Sequence, residues 1–224
     1  MVVRLDLHVH TTFSRDSRLS LEELPTQLGA RGLSGAAVTD HNTVRGHSRL
    51  RALSERYSHL WFVPGIEVSA REGHVLVYGV SEAPSRFLPL PELVEWARPR
   101  NAVVVLAHPI RWIHGVGPTR AERSAVDGLE VRNARTAEAA NARAELIAAR
   151  RQLSATGGSD AHELATLGQA YTEFPEEPGS VEDLLEMLRR HRTSAGGGSL
   201  GLAGRLALGA RNGLLRAGRG FRSL

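Results

Sequence analysis

The sequence predicts an α/β fold in which parallel strands are closed or stacked with helices outside. Three observations point there. Strand-like and helix-like segments alternate along the 224 residues, the pattern of parallel sheets with crossover helices. A hydrophobic share of 42% over that length suits one domain with a full core. Acids and histidines recur just after the strand segments, and ligands at C-terminal strand ends are the arrangement of barrel enzymes.

The elements follow in order. Residues 2–7 are aliphatic with Arg4 and Asp6 interleaved, a strand that reaches about His8. Residues two apart in an extended chain face the same way, so His8 and His10 leave the strand side by side as half of a divalent-metal site. The loop 11–18 carries Asp16. Residues 19–30 read as a helix, capped by Ser20, with Glu22 and Glu23 in its first turn and Gly32 past its end. Residues 35–39 are a buried strand ending at Asp40-His41-Asn42, and 45–57 an arginine-rich amphipathic helix. Residues 61–68 form the third strand, interrupted by Pro64-Gly65, with Glu67 near its end. Gly73 and His74 open another strand at 75–80. A short helix at 90–97 precedes an apolar strand at 102–107 that ends in His108-Pro109; 119–124 is a helical turn. Residues 128–132 are a strand ending at Asn133, and 136–153 a long helix rich in alanine, the best helix former. Residues 154–158 lead into Ser159-Asp160-Ala161-His162. Residues 169–174 are the last strand, and 180–191 the last helix, capped by Ser180.

Composition changes after residue 193. We therefore expect a barrel over residues 1–193 and a Gly/Ala/Arg-rich tail over 194–224. The tail carries Arg205, Arg211, Arg216, Arg219 and Arg222 and no acid. Two readings stay open: a frayed, glycine-interrupted end, or a basic amphipathic element for an anionic partner such as nucleic acid or lipid headgroups. The formal charge is +4, and all 28 basic residues are arginine. Guanidinium grips phosphate bidentately, although coding bias yields the same composition. An aromatic share of 5% is too small for an obvious base-stacking surface. Without cysteine there are no disulfides or thiolate metal sites. The start has no signal-peptide pattern and no apolar run is long enough to cross a bilayer, so a soluble cytoplasmic protein is expected. Oligomeric state is not indicated.

The candidate ligands are His8, His10, Asp16, His41, Glu67, His74, His108, Asp160 and His162. Any one is explicable as an ordinary polar residue. Together at successive strand ends they are not, because crowded acids and imidazoles repel or stay desolvated without a cation. Imidazole and carboxylate without thiolate suit Mn²⁺, Fe²⁺ or Zn²⁺.

The motifs Asp-Leu-His-Val-His-Thr, Thr-Asp-His-Asn, Gly-Ile-Glu-Val, Ala-His-Pro and Gly-Gly-Ser-Asp-Ala-His, in that order, resemble the PHP family, named for polymerase and histidinol phosphatase. The resemblance covers about residues 4 to 191 and is nearest to short stand-alone phosphoesterases. It implies a distorted (β/α)7 barrel, TIM-like but one strand short, and a trinuclear metal centre. Carried over, His8 and His10 with Glu67 and Asp160 hold the first metal. Asp16, where the family sometimes has histidine, holds the second with His41 and His162. Glu67 bridges to a third held by His74 and His108, and the centre is binuclear if His74 points away. The implied activity is hydrolysis of phosphate esters by a metal-bound hydroxide attacking in line, with about two or three divalent ions per chain. Substrates expected on this reading are nucleotides, other small phosphomonoesters, or a nucleic-acid end.

No protein nucleophile is needed, and the sequence has neither a Gly-x-Ser-x-Gly elbow nor a phosphate-binding Gly-Lys-Ser/Thr loop. Beyond Asp16, the catalytic candidates are Asp40, accepting a proton from a ligand imidazole, and Arg111, clamping a phosphate. Arg132 and Asn133 end a strand at the same face. His114, in a glycine-flanked loop, is placed to donate a proton to the leaving group. His47, His59 and His191 are expected on the surface. Two alternatives stand beside this reading. One is an amidohydrolase-like enzyme, whose usual carboxylated lysine is excluded because there is no lysine. The other is a non-catalytic metal-binding module, against which all nine positions keep metal-competent side chains.

Overall fold

The structure, a computed structural model, describes residues 2–85 and 87–218. Nine strands form one sheet: β1 (Val3–Val9), β2 (Gly35–Val38), β3 (Trp61–Ala70), β4 (Gly73–Tyr78), β5 (Val103–Leu106), β6 (Gly128–Asn133), β7 (Ser154–Gly158), β8 (Ala170–Phe174) and β9 (Ser194–Gly197), in the order β7-β6-β5-β4-β3-β2-β1-β8-β9. The helices are α1 (Leu24–Ala30), α2 (His47–Arg56), α3 (Leu90–Ala97), α4 (Pro118–Arg123), α5 (Glu138–Arg151), α6 (Val181–Arg189) and α7 (Leu202–Gly218).

The strands β1 to β7 make a nearly closed barrel with one reversed member. β1, β2 and β3 are parallel, as are β5, β6 and β7, but β4 is antiparallel to both neighbours. Only Arg71 and Glu72 separate β3 from β4. A parallel crossover needs a dozen or more residues, so this connection can only be a hairpin. Gly73, at φ 154°, makes its corner. The barrel closes between β7 and β1. Val9 bridges Ala161, and the Asp6 carboxylate accepts from the Ser159 and Gly168 backbone N–H at 2.8 and 2.9 Å. Close approach requires glycine here. A Cβ on Gly158 would lie 2.4 Å from the Cβ of His8, and one on Gly157 2.3 Å from the Tyr171 carbonyl.

Helices cover the outside. α1 and α2 pack Leu24, Leu28 and Leu50 against Ala36, Val38 and Phe62. α3, α4 and α5 pack Leu93, Ala121 and Ile147 against β3 to β6. The amphipathic α6, capped by Ser180 accepting from Asp183 N–H, inserts Leu184 and Leu188 among Leu5, Val103 and Phe174. The helix expected over 19–30 begins as a 3-10 turn, Leu21–Glu23, inside a Ser20/Glu23 capping box, and Pro25 marks the true start of α1. Residues 154–158, read as a lead-in, are the strand β7.

The segment from residue 194 carries two described elements. Its first residues, Ser194–Gly197, pair antiparallel with β8 as β9, and the chain then forms α7, 17 residues long. Arg219 and Arg222 lie outside the described residues. No described helix is long and apolar enough to cross a membrane.

Candidate metal centre

Glu67 is the hub. It sits near the end of β3, fully buried, and both carboxylate oxygens are ringed by imidazoles. Oε1 lies 2.8 Å from His74 Nδ1 and 3.1 Å from His108 Nε2. Oε2 lies 2.9 Å from His41 Nδ1, 3.3 Å from His10 Nε2 and 3.5 Å from His8 Nε2. Asp160, after β7, places Oδ1 3.5 Å from His10 Nε2 and 3.6 Å from His162 Nδ1. Asp16 Oδ2 lies 3.4 Å from His162 Nε2 and 3.6 Å from His41 Nε2. All nine candidates therefore meet at one rim, contributed by the ends of β1, β2, β3, β5 and β7 and the start of β4. His74 points into the cluster, because the hairpin pairs it with Ser69 and turns it toward Glu67.

Several triads among these residues could each hold an ion: His8, His10 and Asp160; His10, His41 and His162; His8, Glu67 and His108; His41, Glu67 and His74. The donor chemistry fits divalent cations. The Nε2 atoms of His8 and His10 face each other at 3.1 Å, while His8 Nδ1 is held 2.9 Å from Glu130 Oε1. A proton on that Nδ1 leaves the Nε2 lone pair aimed inward, the way a carboxylate usually orients a ligand histidine. Glu67 Oε2, Asp16 Oδ1 and His108 Nδ1 are buried without a hydrogen-bond partner. Buried polar atoms are rarely left so without an ion or water to meet them.

The electrostatics match. Burial opposes ionisation of Glu67, yet His74, His41 and His8 outweigh it and hold the carboxyl well below its usual range. Burial likewise opposes the charge on Asp160, which Arg135 and His8 hold low, and on Asp16, which His162 and His41 hold low. Burial would depress His41, but Glu67 and Asp16 raise it to about 10. His162 is lowered to about 4 by burial and the nearby His10. The backbone is strained at the same rim: His108, His114 and Asp160 take φ of 31°, 67° and 54°, a region side-chain-bearing residues seldom occupy.

The surrounding residues differ from expectation in part. Asp40 is not turned to the His41 ring. It accepts from Thr11 N–H, the Thr11 hydroxyl and the Ser14 hydroxyl at 2.7, 2.7 and 2.6 Å, and meets His10 only through Ser14 Oγ, 3.4 Å from Nδ1. Arg132 reaches away to Glu138 and Glu145 on α5. Asn133 does face the site, 3.4 Å from Asp160. His114 stacks on His74 with ring centroids 4.4 Å apart, and burial with His74 and Arg111 lowers its pKa to about 4. That shift runs against the expected role as a proton donor. His47, expected on the surface, is half-buried and bonds the Gly65 carbonyl at 2.9 Å.

Arginines frame the mouth. Arg111 donates to Asp160 Oδ2 at 2.8 Å, and its Nη2 lies 2.8 Å from His108 Nε2. Arg135 lies 3.3 Å from Asp160 Oδ1 and 3.0 Å from His162 Nδ1. Arg216 of α7 lies 2.7 Å from Asp16 Oδ2. Sequence reading missed Arg135, Arg216 and Glu130. A lone acid inside the apolar strand Gly-Leu-Glu-Val was the available signal for Glu130. The cavity over the ligands is about 170 Å³ and is bounded by α7 through Gly209, Asn212, Gly213 and Arg216. A larger cleft of about 640 Å³ beside α3 and α4 is lined by no imidazole.

Comparison with known proteins identifies the family. The family model described as PHP domain matches residues 6–116, and the one described as PHP-associated matches residues 138–193. The phosphoribosyl 1,2-cyclic phosphate 1,2-diphosphodiesterase of Eggerthella lenta is 41% identical over 83 residues, covering 34% of this chain and only 31% of that enzyme. Among solved structures, PsfC from Pseudomonas syringae superposes with a TM-score of 0.67 at 23% identity, covering 97% of this chain and 98% of that one. A protein of Bifidobacterium adolescentis assigned as a metal-dependent phosphoesterase gives 0.60 at 19% identity, covering 89% and 98%. The chain belongs to the PHP family.

Proposed function

We propose that this chain, a metal-dependent phosphoesterase of the PHP family, releases a terminal phosphate from a small phosphorylated substrate or from the end of a nucleic acid. The observation that carries the reading is Glu67, buried with five imidazoles within 3.5 Å of its oxygens, beneath a rim of guanidiniums. His8, His10, Glu67 and Asp160 hold one ion, Asp16, His41 and His162 a second, and His74 and His108 share Glu67 with a third. Manganese, iron and zinc all suit this donor set. Bound divalent ions lower the pKa of a coordinated water toward about 7 and neutralise phosphoryl and leaving oxygens.

The chain's own groups do the rest. Glu130 fixes the His8 ring, and Asp40 holds Ser14 against the His10 ring. Arg111 and Arg135 grip the non-bridging phosphate oxygens, where planar guanidinium forks fit tetrahedral phosphate. They would hold the phosphorus facing the ligand cluster with the ester oxygen directed away, so that a water-derived oxygen attacks opposite the ester P–O bond, which breaks as the alcohol leaves with its oxygen. The narrow cavity favours a terminal phosphate over one inside a strand.

A panel assayed with Mn²⁺ tests this: a chromogenic phosphate ester, mononucleotides, histidinol phosphate, short oligonucleotides and a lactam. We expect phosphate esters to be hydrolysed and the lactam not. His8→Ala should lower kcat/KM by more than about 100-fold. Lactam turnover alone would make this an amidohydrolase, and full activity in His8→Ala would misplace the site.

A further inference from the structure

Every wall of the cavity but one belongs to the barrel and its loops. The exception is α7, which contributes Gly209, Asn212, Gly213 and Arg216. Its hold on the barrel is slight. Of its side chains only Leu208 and Asn212 are buried. Gly209 and Gly213 present bare backbone to the cavity, and a Cβ on either would find nothing within 4 Å. The other ties are polar. Arg216 meets Asp16, Arg211 meets Glu163 at 3.1 Å, and Asn212, with its amide turned to satisfy its neighbours, accepts from Arg135 at 3.2 Å. Arg216 and Arg211 are half-exposed, although Asp16 is buried and Glu163 largely covered, and two such pairs beside two buried side chains are a small hold for a helix of 17 residues. The connection from β9, residues 198–201, is tied to the barrel by Gly198 N–H donating to the Gln169 carbonyl at 2.9 Å, Leu200 N–H to the Ala134 carbonyl at 2.7 Å and the Asn141 amide to the Ser199 hydroxyl at 3.0 Å, which leaves Gly201, between these ties and the helix, as the pivot.

The volume is the second observation. Sites that take whole small molecules usually enclose roughly 300 Å³ or more, whereas about 170 Å³ lies beneath the seated helix. That room takes a phosphate group, and the rest of a nucleotide would have to extend past the helix. Arg216 is half-exposed, and its nearest approach to Asp16 is through Nη2, so the guanidinium meets solvent at the cavity mouth as well as the carboxylate.

We propose that α7 is a lid and that Arg216 is a substrate-binding residue delivered by it. The helix lifts to admit substrate. On closing, the Arg216 guanidinium passes from Asp16 to a phosphate oxygen, opposite Arg111 and Arg135. This rests on the phosphoesterase reading and adds a residue to it.

Amide hydrogen exchange of residues 202–218 in the full chain with Mn²⁺ tests the proposal, with inorganic phosphate as the probe and its binding followed by calorimetry. Phosphate should slow exchange across α7 in the wild type and leave it unchanged in Arg216→Ala. In turnover, Arg216→Ala should raise KM for a phosphomonoester about 10- to 100-fold, the worth of a charge-assisted hydrogen bond, and change kcat far less. Arg216→Lys, which keeps the charge, should recover part of the loss. Phosphate that binds without slowing exchange in α7 overturns the lid, and an unchanged KM in Arg216→Ala overturns the role of the arginine. Protection of α7 in a chain that hydrolyses no phosphate ester would overturn the catalytic reading and leave the lid standing.

Discussion

At the scale of single residues, the site is a balance of charge that burial makes severe. Glu67 stays ionised in the interior only because imidazoles surround it. The same balance raises His41 to about 10 and His8 well above the ordinary value, both against the pull of burial. Without a cation the His41 ring keeps its proton at pH 7.5, and the carboxylates around His8 draw it the same way. A ligand imidazole must be neutral, so loading the site has to expel protons. Titrating Mn²⁺ into chelator-treated protein at pH 7.5, in buffers of different ionisation enthalpy, should report net proton release. The release should fall as pH rises through 10, where about half of the His41 rings have already lost their proton in the free chain. Release that does not vary with pH would contradict this charge assignment. Most of the candidate ligands stood out in the sequence because they sit in short motifs at strand ends, whereas Asp16 lies in the loop after β1 and His74 opens β4. Glu130 did not stand out. It lies within β6, where an acid reads as an isolated irregularity until the barrel brings it to His8 from 122 residues away.

At the scale of elements, the hairpin and the barrel seam decide where those ligands meet. Strand and helix alternation foretold parallel strands, and the two-residue connection Arg71-Glu72 is the local reason β4 runs the other way. That reversal aims His74 at Glu67. The seam depends on missing side chains. Gly158→Ala forces a methyl against His8 at 2.4 Å and should cost about 1–3 kcal/mol through overpacking. Gly29→Ala, in open space on α1, should cost nothing and can gain up to about 1 kcal/mol from helix propensity. Denaturant titration of the two variants checks the contrast, and equal stabilities would mean that β7 does not approach β1 this closely. The C-terminal segment was the least readable element. Its glycines argue against a helix by propensity, and its anchors, Leu208 and Asn212 on the barrel and Arg216 on Asp16, are contacts across the fold that no local pattern announces.

At the scale of the whole molecule, a barrel nearly closed through Asp6, Ser159 and Val9 carries every candidate ligand on one rim, and a basic helix lies across that rim. The central claim is that this rim binds divalent ions through Glu67 as the shared ligand. The direct measurement is elemental analysis of protein purified without chelator, wild type beside Glu67→Gln. The account predicts about two or three equivalents of manganese, iron or zinc in the wild type and a loss of at least one in the variant. A wild-type protein that carries no such metal and takes none up on addition, or a variant that retains the full complement, would contradict it.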